Sequence, residues 1–243
     1  MKLSPEEKAA HRAAFRAMSP GQKLEYILSY YRGPLFLLLV LAVAAGSLLH
    51  HSFIRKQPVL YVGLVNVAAG SSLEEGLTDG YLRSQGAGRR QSVQLYTGLY
   101  LSENADVVNH EYAYASRLKL MGAVQARQLD LVLMNREGWD LLSAQGYLMD
   151  LAQLSQNLDK ALWERLAPLV RENTVVLEDN ALEWQLGEAD VHTRRTESQT
   201  NALEAGSLPL FAQAGFGEPV YLGIIANSPR LETAAAWLSY LNP

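Results

Sequence analysis

The sequence predicts an α/β protein preceded by one transmembrane helix. Two observations indicate the α/β class: β-rich runs occur at 59–67, 91–101 and 129–135, and each is followed by a helical pattern. A third observation, the run Leu35–Ile54 without Asp, Glu, Lys or Arg, predicts the transmembrane helix, here bounded at 33–54. At about 1.5 Å per residue such a run reaches roughly 30 Å, the thickness of a hydrocarbon core.

Charge divides the chain at this apolar run. Residues 1–56 contain eight Lys and Arg against three Asp and Glu, a net charge of +5, whereas residues 57–243 contain thirteen against twenty-two, a net charge of −9. Six of the eight basic residues precede the run, so the positive-inside rule predicts a cytoplasmic N-terminus and an extracytoplasmic C-terminal domain. The expected localisation is the cell membrane with a single span.

The N-terminal boundaries follow from the same reasoning. Residues 1–32 are predicted to form a cytoplasmic amphipathic tail, and residues 55–243 the extracytoplasmic domain. The charged region before the apolar run is long for a cleaved secretory signal, which favours an uncleaved signal anchor. Within the tail, the motifs SPEE (4–7) and SPGQ (19–22) predict two short helices, each with a capping box. The second helix can lie in the membrane headgroup region or pack against a partner.

The domain predicted at 55–243 begins with a strand, a loop and a helix in succession. Ser71 or Ser72 is the predicted N-cap of the first helix of this part, and the run at 129–135 is apolar on both faces, as in a strand covered by helices. In an open parallel sheet, ligands lie beyond the carboxyl ends of the strands. Asn135 ends the third strand, and there it can cap the helix that begins at Arg136 or present its amide to a ligand.

Polar residues at these strand ends form the predicted ligand site. They supply hydroxyl and amide groups without fixed charge, although the serines and Asn135 are also explained as helix caps and the tyrosines as core residues. The candidate ligand-binding residues are Asn66, Ser71, Ser72, Tyr96, Thr97, Asn135 and Tyr221.

Two longer stretches carry a family resemblance. LDLVLMNREGWDLLSAQGYLMDLAQL (129–154) and EPVYLGIIANSPRLETAAAWLSYL (218–241) resemble segments of extracytoplasmic solute-binding proteins with the type II periplasmic-binding fold. The resemblance implies a type II periplasmic-binding-like open sheet, a C-terminal helix that packs against the first lobe, and a second lobe, here small, at about 151–207. The chain departs from the family in its predicted membrane anchor and in the small size of that lobe.

The resemblance implies an extracytoplasmic module that captures a small polar ligand, and the apolar run predicts that this module is tethered to the membrane. The alternative is a cell-envelope interaction or assembly module with the same fold and a vestigial cleft, in contact with a membrane or envelope protein. The chain has no cysteine, its five histidines lack metal-ligand spacing, and AGSSLE (69–74) lacks a nucleophile elbow. We therefore expect no enzyme activity, no catalytic or metal site and no cofactor, and the acidic domain argues against nucleic-acid binding.

Overall fold

The computed structural model divides the chain into two compact units, Met1–Arg55 and Lys56–Pro243. The described residues are 16–30, 32–53, 56–103, 109–155 and 158–242. In the first unit, helices α1 and α2 span Pro20–Tyr30 and Arg32–Phe53. The predicted capping box at the start of α1 is confirmed, because the Ser19 N–H donates to Gln22 Oε1 at 3.0 Å and the Gln22 N–H to Ser19 Oγ at 3.4 Å. The first predicted capping motif, at 4–7, lies outside the described residues.

The predicted transmembrane helix is wrong, and the part of the fold-class prediction that included it is corrected accordingly. A spanning helix must be apolar over roughly 30 Å. No helix among the described residues combines the necessary length and apolar character. The predicted localisation is therefore also wrong. It placed a single-pass protein in the cell membrane with a cytoplasmic N-terminus and an extracytoplasmic C-terminal domain.

The second unit contains a six-stranded mixed sheet with the order β2-β1-β3-β6-β5-β4. Strands β1, β2 and β3 are parallel, as predicted, whereas β6, β5 and β4 follow as antiparallel neighbours. The sheet is therefore not the purely parallel sheet expected, because its second half is built from a hairpin and a return strand. The strands are β1 (Gln57–Val65), β2 (Gln91–Leu99), β3 (Leu131–Met134), β4 (Val170–Asp179), β5 (Arg194–Glu204) and β6 (Tyr221–Ile224).

Helices connect these strands and cover both faces of the sheet. A π-helical turn, Gly76–Gly80, joins the two short helices that follow β1. A 3₁₀ turn, Ala167–Leu169, precedes β4. The described α-helices of this unit are α3 (Ser71–Glu75), α4 (Tyr81–Ser84), α5 (His110–Gln125), α6 (Arg136–Ala144), α7 (Leu151–Ser155), α8 (Lys160–Leu166), α9 (Ala181–Gln185), α10 (Pro209–Ala214) and α11 (Leu231–Leu241).

Strand β3 is buried on both faces, as its apolar sequence predicted. Leu131 and Leu133 join the core beneath α11, while Val132 and Met134 join the core beneath α5 and α6. The alternation follows from the two-residue period of a strand, which sends neighbouring side chains to opposite faces.

The C-terminal helix α11 packs beside β1 and β3, as predicted. Trp237 is fully buried, and its indole N–H donates to the carbonyl of Leu77 at 3.1 Å. Leu238 and Leu241 join the same core. Helix α11 thereby ties the end of the chain to the π-helical turn after β1.

Strands β4 and β5 form a long antiparallel hairpin inside the segment 151–207, where the sequence predicted a second lobe. They pair at nine positions, but β5 pairs with β6 only at Leu203 and Glu204. The hairpin therefore joins the sheet at its base and extends away from it. We call residues 170–204 the hairpin arm and residues 180–193 its tip.

Candidate functional site

The parallel half of the sheet has a topological switch point between β1 and β3. The chain passes from β1 to β2 on one side and then to β3 on the other side of β1. In open α/β sheets, ligands bind at the carboxyl ends of the strands at such a point. Asn66 follows β1 and Asn135 follows β3, and the Asn135 N–H donates to Val65 O at 3.3 Å. The switch point therefore brings these two predicted site residues together.

Asn135 is the N-cap of α6, which confirms its predicted capping role. Its Oδ1 accepts a hydrogen bond from the Gly138 N–H at 2.9 Å, and its own backbone is extended. Gly138 permits the close approach of α6 to β1, because a Cβ atom there would lie 3.0 Å from Val65 Cγ1. Binding of a ligand by the Asn135 amide stays a prediction.

Asn135→Ala is expected to lower the free energy of unfolding by about 1 kcal/mol, because it removes the cap of a helix that packs on the sheet. Asn135→Ser keeps an oxygen at the cap and is expected to lose much less. Urea unfolding followed by tryptophan fluorescence measures both variants. Equal losses in the two variants would show that the cap hydrogen bond does not contribute.

Asn66 uses its amide within the fold. Its Nδ2 donates to Leu101 O at 2.7 Å, and its Oδ1 accepts from the Leu101 N–H at 2.8 Å. Its φ of 56° is left-handed, a conformation that asparagine adopts more readily than most residues. Asn66 therefore holds the segment after β2 against the end of β1.

Ser71 and Ser72 lie exposed in the first turn of α3. The predicted capping role is wrong for both, because Gly70 occupies the N-cap with extended backbone and no side-chain hydrogen bond. The helix begins at Ser71, one residue earlier than it would begin if Ser71 were its N-cap. The structure does not bring these hydroxyls to Asn135 by any described contact.

Tyr96 and Thr97 lie on the edge strand β2. The Tyr96 ring stacks on Tyr61 with centroids 6.3 Å apart, and the Lys119 ammonium lies 5.6 Å from the Tyr96 centroid. Burial, followed by the nearby Tyr61, raises the pKa of Tyr96 above its ordinary value. Thr97 is exposed. The rings of Tyr61, on β1, and Tyr96, on β2, therefore form a small aromatic surface on these two strands.

Tyr221 begins β6 directly opposite Met134 and packs against α6. Its ring stacks on Trp139 with centroids 4.3 Å apart, and the Arg136 guanidinium lies 4.7 Å from a Trp139 ring centroid. The buried Trp139 indole donates to Asn201 Oδ1 at 2.8 Å. Tyr221 thus supports the first turn of the helix that Asn135 caps.

A groove of about 870 Å³ runs beside α6 from the switch point. Helix α6 supplies one wall, β4 and β5 contribute polar groups, and two loop glutamates complete the lining. Besides Asn135, the lining residues are Glu103, Arg136, Glu137, Asp140, Leu141, Ala144, Asn173, Thr174, Arg194 and Glu218. We call this cavity the α6 groove.

Several charged groups of the α6 groove are held by neighbours. Arg136 Nε lies 2.9 Å from Asp140 Oδ1, and this contact raises the pKa of Arg136. Asn173 Nδ2 donates to the same carboxylate at 2.8 Å. The Ser102 hydroxyl donates to Glu137 Oε1 at 2.6 Å. These contacts fix the carboxylates of α6 along the groove.

Two further carboxylates of the groove have no hydrogen-bonding partner within the described residues. Glu103 and Glu218 are exposed, and neither makes a hydrogen bond or ion pair within the described parts of the chain. The four acidic and two basic side chains of the lining give the groove an excess of negative charge. Sequence reasoning missed these residues, because they lie in separate loops that only the fold brings together.

A second polar cluster lies at the amino end of β3. Asp130 is fully buried and accepts hydrogen bonds from the Tyr61 N–H at 2.8 Å, the Ser228 hydroxyl at 2.6 Å and Arg230 Nε at 2.8 Å. Arg230 also donates to the carbonyl of Arg127 and covers the Tyr61 ring at 4.6 Å. All these groups have partners, so the cluster joins β1, β3 and the turn before α11.

The described residues contain no group of three or more His, Cys, Asp or Glu arranged to hold a metal ion. Fold and groove together define the class: an α/β protein with a mixed six-stranded sheet and a polar groove at its switch point. Comparison of the chain with protein-family models, curated proteins and solved structures finds no match. The resemblance to type II periplasmic-binding proteins therefore stays a prediction.

Proposed function

We propose that this chain is a non-enzymatic binding module that holds a small polar ligand in the α6 groove. The observation that carries the proposal is the position of the groove, which opens beside Asn135 at the switch point of the parallel strands. Its volume of about 870 Å³ is in the range of small-molecule sites.

The charge of the groove favours a ligand with a positively charged group, such as an amine. Glu103 and Glu218 can each accept a hydrogen bond from such a group without giving up a partner in the described structure. The carboxylate of Asp140, which is held by Arg136 and Asn173, also lines the groove. A free anion would meet this negative excess and is disfavoured.

The direct test is a thermal-shift screen of the full-length protein against polar solutes, with amines, sugars and carboxylates in separate sets. A solute that binds the native state raises the unfolding temperature by mass action. We expect stabilisation from members of the amine set. Stabilisation by carboxylates alone would contradict the preference for a positive charge, and no stabilisation by any set would contradict the binding role.

Substitutions of the groove carboxylates then test where the most stabilising amine binds. Glu103→Gln/Glu218→Gln is expected to weaken binding by at least about tenfold, because each change removes a charge-assisted hydrogen bond. Calorimetry measures the affinity. Glu164→Gln, an exposed carboxylate on α8, is the matched control and should bind like the parent. Unchanged affinity in the double variant would place the ligand outside the α6 groove.

A second candidate function, as an interaction or assembly module, is favoured by a separate observation. The hairpin arm projects from the sheet and carries exposed apolar side chains at its tip. Large exposed apolar patches mark interaction surfaces. This function does not require the groove.

A further inference from the structure

A second cavity adjoins the loop that supplies Glu103 to the α6 groove. It has a volume of about 280 Å³ and lies against the first two turns of α5. Cavities that hold a whole small molecule are larger, so this one has room for one end of a ligand. Its lining residues are Ser102, His110, Ala113, Tyr114 and Arg117. We call this cavity the α5 pocket.

The described lining of the α5 pocket includes basic side chains but no acidic one. His110 and Arg117 lie seven residues apart, which places them on the same face of α5. Arg117 is half-buried, and its side chain takes part in no ion pair or hydrogen bond within the described parts of the chain. A partly buried guanidinium without a counter-ion has lost hydration without compensation, so it attracts an anionic group.

Contacts with β2 and the loop after it hold the start of α5 in place. Asn109 caps the helix, because its Oδ1 accepts a hydrogen bond from the Tyr112 N–H at 3.4 Å. The Tyr112 hydroxyl donates to Gly98 O, and the Tyr112 ring stacks on Tyr100 with centroids 6.5 Å apart. The wall that α5 contributes to the pocket is therefore fixed to the end of β2.

The α5 pocket and the α6 groove are neighbours at Ser102 and Glu103. These adjacent residues line different cavities, Ser102 the pocket and Glu103 the groove. The Ser102 hydroxyl also donates to Glu137 Oε1 at 2.6 Å, and Glu137 lines the groove. Leu101, which precedes Ser102, is held to the end of β1 by Asn66. The two cavities therefore adjoin at the switch point of the sheet.

The two cavities differ in the sign of their unpaired charge. Both arginines of the α6 groove already lie near a carboxylate, Arg136 near Asp140 at 2.9 Å and Arg194 near Asp179 at 3.6 Å. The unpaired charge of the groove is therefore negative, whereas that of the α5 pocket is positive. Glu103 and Arg117 form no ion pair with each other in the described structure, so each can bind a charged group of a ligand.

We propose that the ligand is dipolar, with an amine in the α6 groove and a carboxylate in the α5 pocket. This inference rests on the proposed binding function and adds a second charged group to its ligand. Glu103 accepts a hydrogen bond from the amine, Arg117 donates to the carboxylate, and the His110 imidazole carries a further N–H donor. Because the two charges lie in separate cavities, the ligand is an elongated ω-amino acid. In an α-amino acid both charged groups share one carbon.

Calorimetry of the full-length protein with matched ligands tests the carboxylate end. The probes are 4-aminobutanoate, 6-aminohexanoate and 8-aminooctanoate, each compared with its primary amide, which keeps the amine and the chain length but lacks the negative charge. At one chain length or more, the acid should bind at least about tenfold more tightly than its amide. Equal affinity at every length would overturn the dipolar ligand and leave the proposed amine site intact. Absence of binding by acids and amides alike would overturn both.

Arg117→Gln tests whether the carboxylate lies in the α5 pocket. It should weaken binding of the acid at least about tenfold and leave the affinity for the amide unchanged, since the amide has no charge at that end. Arg89→Gln, in an exposed turn outside the lining of both cavities, removes the same charge and is the matched control. Glu103→Gln/Glu218→Gln should weaken the acid and the amide alike, because both carry the amine. An equal loss for acid and amide in Arg117→Gln, or the same loss in Arg89→Gln, would overturn the proposal.

Discussion

Asp130→Ala is expected to lower the free energy of unfolding by about 3–5 kcal/mol, the cost of removing one partner from a buried ion pair. The side chain is fully buried and accepts three hydrogen bonds, from the Tyr61 N–H, the Ser228 hydroxyl and the Arg230 guanidinium. The variant leaves these donors without their acceptor. Urea unfolding followed by tryptophan fluorescence measures the loss.

An exposed ion pair provides the control for Asp130. Glu75 lies 3.0 Å from Arg83 with both side chains more than half exposed, so Glu75→Ala should cost less than about 1 kcal/mol. A double-mutant cycle with Arg230→Met separates the pair from its neighbours. If Asp130→Ala destabilises the protein no more than Glu75→Ala, the cluster at the amino end of β3 does not hold the strands together.

Trp237→Ala is expected to lower the free energy of unfolding by a similar amount, about 3–5 kcal/mol, because it leaves a cavity in the core beneath α11. Trp237 is fully buried with Leu131 and Leu133 of β3, and it anchors the π-helical turn through its hydrogen bond to Leu77 O. Urea unfolding followed by far-ultraviolet circular dichroism measures the effect.

One further variant separates the packing of the Trp237 ring from its hydrogen bond, and a second variant at an exposed site is the control. Trp237→Phe keeps an aromatic ring but removes the indole N–H donor, so it should lose less than the alanine variant while still leaving Leu77 O unpaired. Tyr114→Ala, at a position 65% exposed on α5, should change stability by no more than about 0.5 kcal/mol. A loss at Trp237→Ala as small as that at Tyr114→Ala would contradict the placement of α11 in the core.

Local features of the fold were predictable because their causes lie within a few residues. Asn135 caps α6 by accepting a hydrogen bond from the N–H of Gly138, three residues further on. The end of the strand and the start of the helix could therefore be predicted from neighbouring residues. The run Leu131–Met134 was recognisable as a strand covered on both faces, since every residue in it is apolar. The end helix Leu231–Leu241 was recognisable from its apolar face.

Long-range features were not predictable in the same way. The two-residue side-chain period is the same in parallel and antiparallel strands, so the apolar pattern could not reveal that β6, β5 and β4 run antiparallel. The predicted membrane span rested on an apolar run alone, and no described helix meets the requirements for spanning. The prediction that Ser71 and Ser72 belong to the site assumed that one of them caps the helix, but Gly70 occupies that position.

The sequence by itself determined the α/β class, the three parallel strands and the caps at Ser19 and Asn135, because apolar periodicity and capping act over one or two turns. The tertiary structure alone decided which distant groups meet. Asp130 contacts Arg230 across 100 residues, and Glu103 and Glu218 reach one groove from separate loops. Such contacts depend on strand order and crossover, and these leave no local pattern in the chain.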